Sequence, residues 1–255
     1  MASILIPVQG SEEVVEVHVD ELPEDVNDVL DILQAEMAPL NLWLRFAVEY
    51  YKQGRSDQFH MLLKPLLDLA EAPPEQPRDH ENQLFEQFGS DPAVKTQFVA
   101  ILNALASCHM ATASRERDKA SRRQGFEQAK KYYNSAQKID LLNVGSMVGE
   151  AVLLLSQGDL ERATAKLDSA GDYCHGNVPV LLGKAAAKFA SGATEEARRI
   201  YRDVFAANPA PPPAVRLGLA YTSARLGQPA LARKSLERTL ELHPQNVEAL
   251  AGMHF

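Results

Sequence analysis

Apolar and polar residues alternate in two short segments at the start of the chain, and they recur at helical spacing through most of the rest. Ser3–Val8 and Val14–Val19 alternate around Gln9-Gly10-Ser11, which predicts a β-hairpin. From Pro23 onwards the apolar positions follow the three-to-four-residue period of amphipathic helices, with Pro23 just inside the start of the first helix. The sequence therefore predicts an all-α protein with a short N-terminal β-hairpin.

Between Asn143 and Pro244 the helical pattern itself repeats with a period of about 34 residues. Each repeat contains a glycine turn, followed five residues later by an alanine. The glycines are Gly158, Gly192 and Gly227, and the alanines are Ala163, Ala197 and Ala232. A period of this length with small residues at fixed places is typical of the tetratricopeptide repeat (TPR), a pair of antiparallel helices. The pattern predicts a TPR solenoid.

Each such helix pair is too small to bury its own apolar face, so neighbouring pairs must stack and share a core. The glycine allows the first helix to end, and the alanine allows the second helix to lie close to the first. A large apolar residue lies four positions beyond each alanine, at Leu167, Tyr201 and Leu236. We expect these three side chains to fill the space between successive pairs.

The remaining patterns divide the chain into five segments. Trp43, Phe46, Ala47 and Tyr50 share one helical face before a turn at Gly54, as in a first, divergent TPR pair. A later pair is interrupted at Arg115–Gln124, which indicates an enlarged turn or extended helices. The predicted segments are a β-hairpin over 1–22, a helix plus the divergent TPR pair over 23–71, a linker or insertion over 72–94, a TPR unit with an enlarged turn over 95–142, and regular TPR units over 143–255, the last one truncated.

Composition and motifs argue against catalysis. The net charge is −8, which gives no general attraction to nucleic acid or to an anionic membrane. The sequence has no phosphate-binding glycine loop, no H-E-x-x-H, no C-x-x-C and no G-x-S-x-G. Cys108-His109 and Cys174-His175 are adjacent pairs whose side chains would diverge by about 100° on a helix. We therefore predict packed cysteines, no metal site, no cofactor and no enzyme activity.

A binding function remains, and its surface follows from the repeat. The first helices of successive TPR units line a groove, and counting along the repeat places nine residues there: Val148, Val152, Leu155, Leu182, Ala186, Phe189, Leu217, Tyr221 and Ala224. This partner groove is apolar, whereas a clamp for a terminal carboxylate would need Lys, Arg and Asn. The expected ligand is an apolar or amphipathic protein segment. The alternative for each residue is a place in the core of the repeat array.

A basic stretch stands out in this acidic chain. Residues 115–131 contain seven basic and three acidic residues. The stretch is either a solvated helical extension or a contact for an acidic protein or nucleic acid. Between Arg115 and Arg123 no aromatic residue interleaves with the charges, so base stacking is not indicated. The residues predicted for contact with an acidic partner are Arg115, Arg117, Lys119, Arg122 and Arg123.

Several runs carry a resemblance that is more specific than the repeat pattern. Trp43–Gly54, with its E-Y-Y-K-Q-G run, resembles the N-terminal region of the TPR scaffold subunit of the RNA polymerase II-associated factor (PAF) complex. Further resembling runs are Asp20-Glu21-Leu22-Pro23, Arg78-Asp79-His80-Glu81, Leu181–Ala185 and Ala214–Gly218. They occur in the same order over nearly the whole chain. The sequence departs from this family over Leu84–Asp91, which has the character of an insertion.

The resemblance implies a nuclear, non-enzymatic scaffold of a transcription elongation complex on RNA polymerase II, which promotes co-transcriptional histone modification. Its N-terminal repeats are expected to hold the complex's namesake subunit and parafibromin. Direct contact with nucleic acid or a membrane is not expected. The alternative function is a generic TPR adaptor or cochaperone that binds peptide segments of other proteins.

Overall fold

The computed structural model describes residues 3–68, 88–89 and 91–253. These residues form two compact units, which are divided between Leu141 and Leu142. The first unit contains β1 (Ser3–Pro7), β2 (Val14–His18), α1 (Val26–Ala35), α2 (Leu40–Lys52), α3 (Ser56–Asp68), α4 (Pro92–Arg115) and α5 (Lys119–Ile139). The second contains α6 (Val144–Ser156), α7 (Leu160–Tyr173), α8 (Val178–Ala190), α9 (Thr194–Ala207), α10 (Pro213–Arg225), α11 (Pro229–Leu242) and α12 (Val247–Gly252). The predicted fold class is confirmed.

The N-terminal hairpin packs on the first helices. β1 and β2 are antiparallel, with Ser3 opposite His18. Ile4 and Ile6 of β1 are fully buried, and β1 contacts α2. Arg45 of α2 donates a hydrogen bond to the Ser3 carbonyl at 3.1 Å. A two-stranded hairpin is marginal in water by itself, so this packing explains its stability.

The segment between the hairpin and α1 is held by the end of α2. Arg55 donates to the carbonyls of Pro23 at 2.7 Å and Glu24 at 2.8 Å, and its guanidinium lies 4.5 Å from the centre of the Tyr50 ring. The Tyr50 hydroxyl donates to the same Pro23 carbonyl at 3.2 Å. Gln53 donates to the Val19 carbonyl at 2.8 Å. Two of the runs that carry the family resemblance are therefore joined by direct contacts.

Two helix starts differ from the sequence prediction. α1 begins at Val26 and not at Pro23, because Asp25 caps it by accepting a hydrogen bond from the Asn27 amide at 2.9 Å. α5 already begins at Lys119, where Asp118 accepts from the Ser121 amide at 2.8 Å. The interruption predicted at Arg115–Gln124 is therefore short. Of the two predicted alternatives for this unit, an enlarged turn or extended helices, the structure has the extended helices.

The linker predicted over 72–94 lies largely outside the described residues, as does the Arg78–Glu81 run. Of the predicted insertion at Leu84–Asp91, the structure describes Phe88, Gly89 and Asp91. The Phe88 ring meets Trp43 of α2 edge-on, with 6.4 Å between the ring centres. This contact places Phe88 against α2.

A series of aromatic rings crosses the first unit from α3 to α5. The ring centres of His60 and His109 are 4.7 Å apart, and His109 stacks on Tyr132 at 5.5 Å. Burial, with a smaller effect from the charge of His60, lowers the pKa of His109 from 6.5 to about 4. Burial also lowers the pKa of His60, partly opposed by Asp57. Both imidazoles are therefore neutral at pH 7 and act as packing groups.

The small residues of the repeat occupy the positions that the sequence predicts. Gly158, Gly192 and Gly227 have positive φ angles of 83°, 90° and 73°, which only glycine adopts without strain. Ala163 and Ala197 are fully buried, and Ala232 is 6% exposed. The prediction that these residues end the first helix and admit the second is confirmed.

A second set of glycines, inside the first helices, sets the distance between successive pairs. Gly183 of α8 faces Leu167 of α7, and a Cβ at this glycine would lie 2.5 Å from the leucine side chain. In the next pair, a Cβ at Gly218 would lie 2.4 Å from the ring of Tyr201. At Gly252 the corresponding distance to Leu236 is 3.1 Å. The large residues thus fill the space between pairs, as predicted, and each lies against a glycine.

We expect Gly218→Ala to destabilise the second unit, because the added methyl group meets the Tyr201 ring at 2.4 Å. Overpacking costs about 1–3 kcal/mol, and the better helix propensity of alanine offsets about 1 kcal/mol of it. Urea denaturation followed by circular dichroism measures the difference. In a Tyr201→Ala background the same substitution should no longer destabilise, and an equal loss in both backgrounds would contradict the contact.

We also expect the first unit to lose stability as the pH falls from about 6.5 towards 5. Below pH 6.5 the histidines of the unfolded chain bind protons, whereas His109 in the folded unit resists protonation until about pH 4. His109→Phe should reduce this pH dependence in denaturation experiments at pH 7 and pH 5. His243→Phe, which changes an exposed histidine, is the matched control. If His109→Phe left the pH dependence unchanged, the lowered pKa of His109 would not be its cause.

Candidate protein-binding groove

The nine residues predicted for the partner groove lie on the first helices of three successive pairs, α6, α8 and α10. α6 contacts α8, and α8 contacts α10, so equivalent positions form one stripe along the second unit. Asparagine caps fix where two of these helices begin: Asn143 accepts from the Ser146 amide at 3.0 Å, and Asn177 accepts from the Val180 amide at 3.2 Å. α10 begins instead with Pro213 in its first turn.

None of the nine side chains is fully buried. Eight are half-buried, and Ala224 is exposed. Five of them pack against buried clusters of the repeat core: Val148, Leu155, Leu182, Phe189 and Leu217. These five side chains have one side in the core and another at the surface. The structure therefore brings the predicted stripe together as a partly exposed apolar surface fixed from beneath.

Arg225 adjoins the predicted partner groove, and the sequence count missed it. Its guanidinium carbon lies 4.7 Å from the centre of the Phe189 ring, and it donates a hydrogen bond to the Phe189 carbonyl at 2.8 Å. The only signal in the sequence is its place directly after Ala224. The guanidinium of Arg225 therefore covers part of the Phe189 ring and is already bound to α8. It does not supply the set of free donors that a carboxylate clamp needs.

Tyr221 and Ala224 lie towards the end of the stripe. The Tyr221 hydroxyl donates to the Glu248 carbonyl at 3.2 Å, which links α10 to α12. Burial raises the pKa of Tyr221, and the Glu248 carboxylate raises it further, so the hydroxyl stays protonated and can donate. Both residues line a cavity of about 500 Å³ together with Leu236 and Met253.

The predicted basic stretch is exposed around the turn between α4 and α5. Arg115, Arg117, Lys119, Arg122 and Arg123 are all exposed. Within the described residues no ion pair involves them. The two nearby acids serve the backbone, since Glu116 accepts from the Arg117 amide and Asp118 caps α5. The hydrogen bonds from Ser121 lower the pKa of Asp118. Contact with an acidic partner stays a prediction.

The remaining candidates for chemistry have structural surroundings. Cys108 is buried in α4, with its Sγ 3.5 Å from His60 Nε2, and burial raises the pKa of its thiol. Cys174 is partly buried after α7. In the part of the chain that the structure describes, no group of three or more His, Cys, Asp or Glu side chains could hold a metal ion. In that same part, no helix combines the length and the apolar character needed to span a membrane.

Comparisons with known proteins agree with this fold. A family model described as tetratricopeptide repeat matches residues 188–253. The crystal structure of a thermophilic TPR protein from Thermus thermophilus has a TM-score of 0.57, with 16% identity over 84% of this chain and 97% of that chain. The Cut9-Hcn1 hetero-tetramer of the APC/C has a TM-score of 0.55, with 11% identity over 90% of this chain and 39% of that chain. At these identities the likeness shows the fold alone.

Curated relatives match almost the whole chain. The CTR9 homolog of Arabidopsis thaliana is 38% identical over 253 residues, which cover 99% of this chain and 22% of the relative. The RNA polymerase-associated protein CTR9 of Caenorhabditis elegans is 29% identical over 98% of this chain and 21% of the relative. The Saccharomyces cerevisiae protein of the same name is 23% identical over 97% of this chain and 22% of the relative. The chain thus spans about a fifth of the length of these relatives.

The repeats, the fold and the family model define the class of fold: the chain contains tetratricopeptide repeats and folds as a TPR solenoid. Within that class, its curated homologues are proteins named CTR9. The resemblance to the TPR subunit of the PAF complex is thereby confirmed.

Proposed function

We propose that this chain is a non-catalytic TPR scaffold that assembles a nuclear transcription elongation complex, the PAF complex, on RNA polymerase II. The observation that carries the proposal is the 38% identity to the Arabidopsis CTR9 homolog over 99% of the chain. The related worm and yeast proteins are named RNA polymerase-associated. The partners are the namesake subunit and parafibromin, with RNA polymerase II contacted indirectly. The proposal assigns no catalytic residue, metal or cofactor to the chain.

The partner groove supplies the binding surface in this proposal. Its side chains are apolar and partly exposed. A bound segment that covers them removes apolar area from water, which stabilises the complex by about 25 cal/mol per Å². Because Leu182, Phe189 and Leu217 already pack on the core, little side-chain freedom is lost when a partner binds. Phe189 and Tyr221 are the aromatic anchors, the residue type that most often dominates the energy of an interface.

The chemistry of the stripe favours a subunit segment over the free carboxylate terminus expected for a cochaperone. The nine residues of the stripe include no Lys, Arg or Asn, and the adjoining Arg225 is engaged with Phe189. An amphipathic helix or an extended apolar segment matches this surface through side-chain contacts at regular spacing. The bound segment therefore lies along α6, α8 and α10 in our proposal.

We expect Leu217→Glu combined with Tyr221→Glu to reduce the capture of partner subunits about tenfold or more. The two carboxylates would be buried without partners beneath a bound apolar segment. Affinity purification of the full protein from nuclei, with quantitative mass spectrometry of the associated subunits, measures the loss. Tyr173→Glu combined with Leu242→Glu makes the same chemical change at exposed positions outside the groove and is the matched control.

Two outcomes would contradict parts of the proposal separately. Unchanged capture by the Leu217→Glu, Tyr221→Glu variant, with circular dichroism confirming that it is folded, would exclude the groove as the binding surface. If the unaltered protein captured cochaperone clients and no polymerase-associated subunits, the scaffold function itself would be wrong. The generic adaptor would then be the better assignment.

A further inference from the structure

A second groove lies on a different face of the second unit, between α9, α10 and α11. Its volume is about 490 Å³. Five basic side chains line it: Arg198, Arg202, Arg216, Lys234 and Arg238. No carboxylate residue is among the lining residues that the structure describes. We call this surface the basic groove, and its charge contrasts with the net charge of −8 of the whole chain.

The basic groove is separate from the partner groove. α10 contributes Arg216 and Leu219 to the basic groove, and it contributes Leu217 and Tyr221 to the partner groove. Adjacent residues of a helix point about 100° apart, so the two sets lie on different faces of α10. A ligand in one groove therefore leaves the other open.

Much of the positive charge of the basic groove is not neutralised. Arg198 pairs with Glu195 at 2.8 Å, and Arg238 pairs with Glu241 at 2.5 Å. The other three cations, Arg202, Arg216 and Lys234, form no ion pair with any residue that the structure describes. The exposed pair of Arg238 is weak, so that arginine also remains available to an anionic ligand. Arg198 is more buried and is held by both Glu195 and Gln228.

The floor of the basic groove is apolar. Phe205 is 40% exposed, Leu231 is 55% exposed, and Leu219 is half-buried in the same lining. The guanidinium of Arg216 lies over the Phe205 ring, 5.2 Å from its centre. A complementary ligand must therefore bring negative charge to the rim and an apolar side chain to the floor.

This combination favours an acidic peptide over a nucleic acid. Single-stranded nucleic acids bind through phosphate contacts and through bases stacked on aromatic rings. The ring face of Phe205 is already covered by Arg216, and Leu219 and Leu231 offer no stacking surface. An acidic segment with one large apolar residue makes charge-assisted hydrogen bonds with the arginines and buries its apolar side chain on the floor.

We propose that the basic groove binds an acidic peptide segment of a partner protein, anchored by one large apolar side chain. This inference goes beyond the scaffold function, because it concerns another face of the unit and a partner of different chemistry. It does not depend on the identity of the ligand in the partner groove.

The test measures binding of a fluorescein-labelled peptide, Glu-Glu-Asp-Phe-Glu-Asp-Glu, to the full chain by fluorescence anisotropy. We expect saturable binding that Arg202→Glu combined with Lys234→Glu weakens about tenfold or more, because both reversals place repulsive charge beside the peptide. A peptide with Ser in place of Phe should also bind about tenfold more weakly, because it lacks the anchor. Circular dichroism verifies that the variant is folded.

A matched charge reversal distinguishes the basic groove from the basic stretch of the first unit. Arg122→Glu combined with Arg123→Glu changes the net charge equally and should leave peptide binding unchanged. Loss of binding in this control alone would overturn the proposal in favour of the stretch. Absence of saturable binding, or equal binding of the Ser peptide, would overturn it as well. So would tighter binding of a short oligothymidylate that the Arg202→Glu, Lys234→Glu variant abolishes, since the ligand would then be a nucleic acid.

Discussion

The close contact between a large side chain and a glycine controls the geometry of the second unit. Tyr201 occupies the space that a side chain on Gly218 would need, and Leu167 does the same at Gly183. These glycines lie within helices, where glycine is less favourable than alanine, so the close contact is made at a cost in helix stability. The contact fixes both the distance and the rotation of α8 and α10 relative to the preceding pair. The surfaces that these two helices present depend on it.

α10 shows how this constraint separates two surfaces. Its Gly218 faces the preceding pair, its Leu217 and Tyr221 face the partner groove, and its Arg216 faces the basic groove. One helix therefore separates an apolar surface from a cationic surface while it belongs to the core. A scaffold that must hold two segments of different chemistry can do so on such a helix without competition between them.

The first unit explains why the resemblance is concentrated where the TPR pattern is weakest. In the E-Y-Y-K-Q-G run and the residue after it, Tyr50, Gln53 and Arg55 hold the carbonyls of the segment after the hairpin. These contacts need particular donors and not merely apolar residues at helical spacing. The run and the Asp20–Pro23 segment thus form one joint between the hairpin and the first helices.

The sequence by itself determined the hairpin, the TPR pairs and the stripe from Val148 to Ala224. Those features depend on local periodicity and on backbone angles that glycine alone adopts freely. It misplaced the start of α1, because capping by Asp25 prevailed over the preference for Pro23 in the first turn. Only the tertiary structure decided which residues meet across helices. The glycine partners of the large side chains, the place of Arg225 on Phe189 and the basic groove all join residues from different helices. The periodicity along one helix does not predict these distances. They are set when neighbouring helices pack and their side chains come into contact.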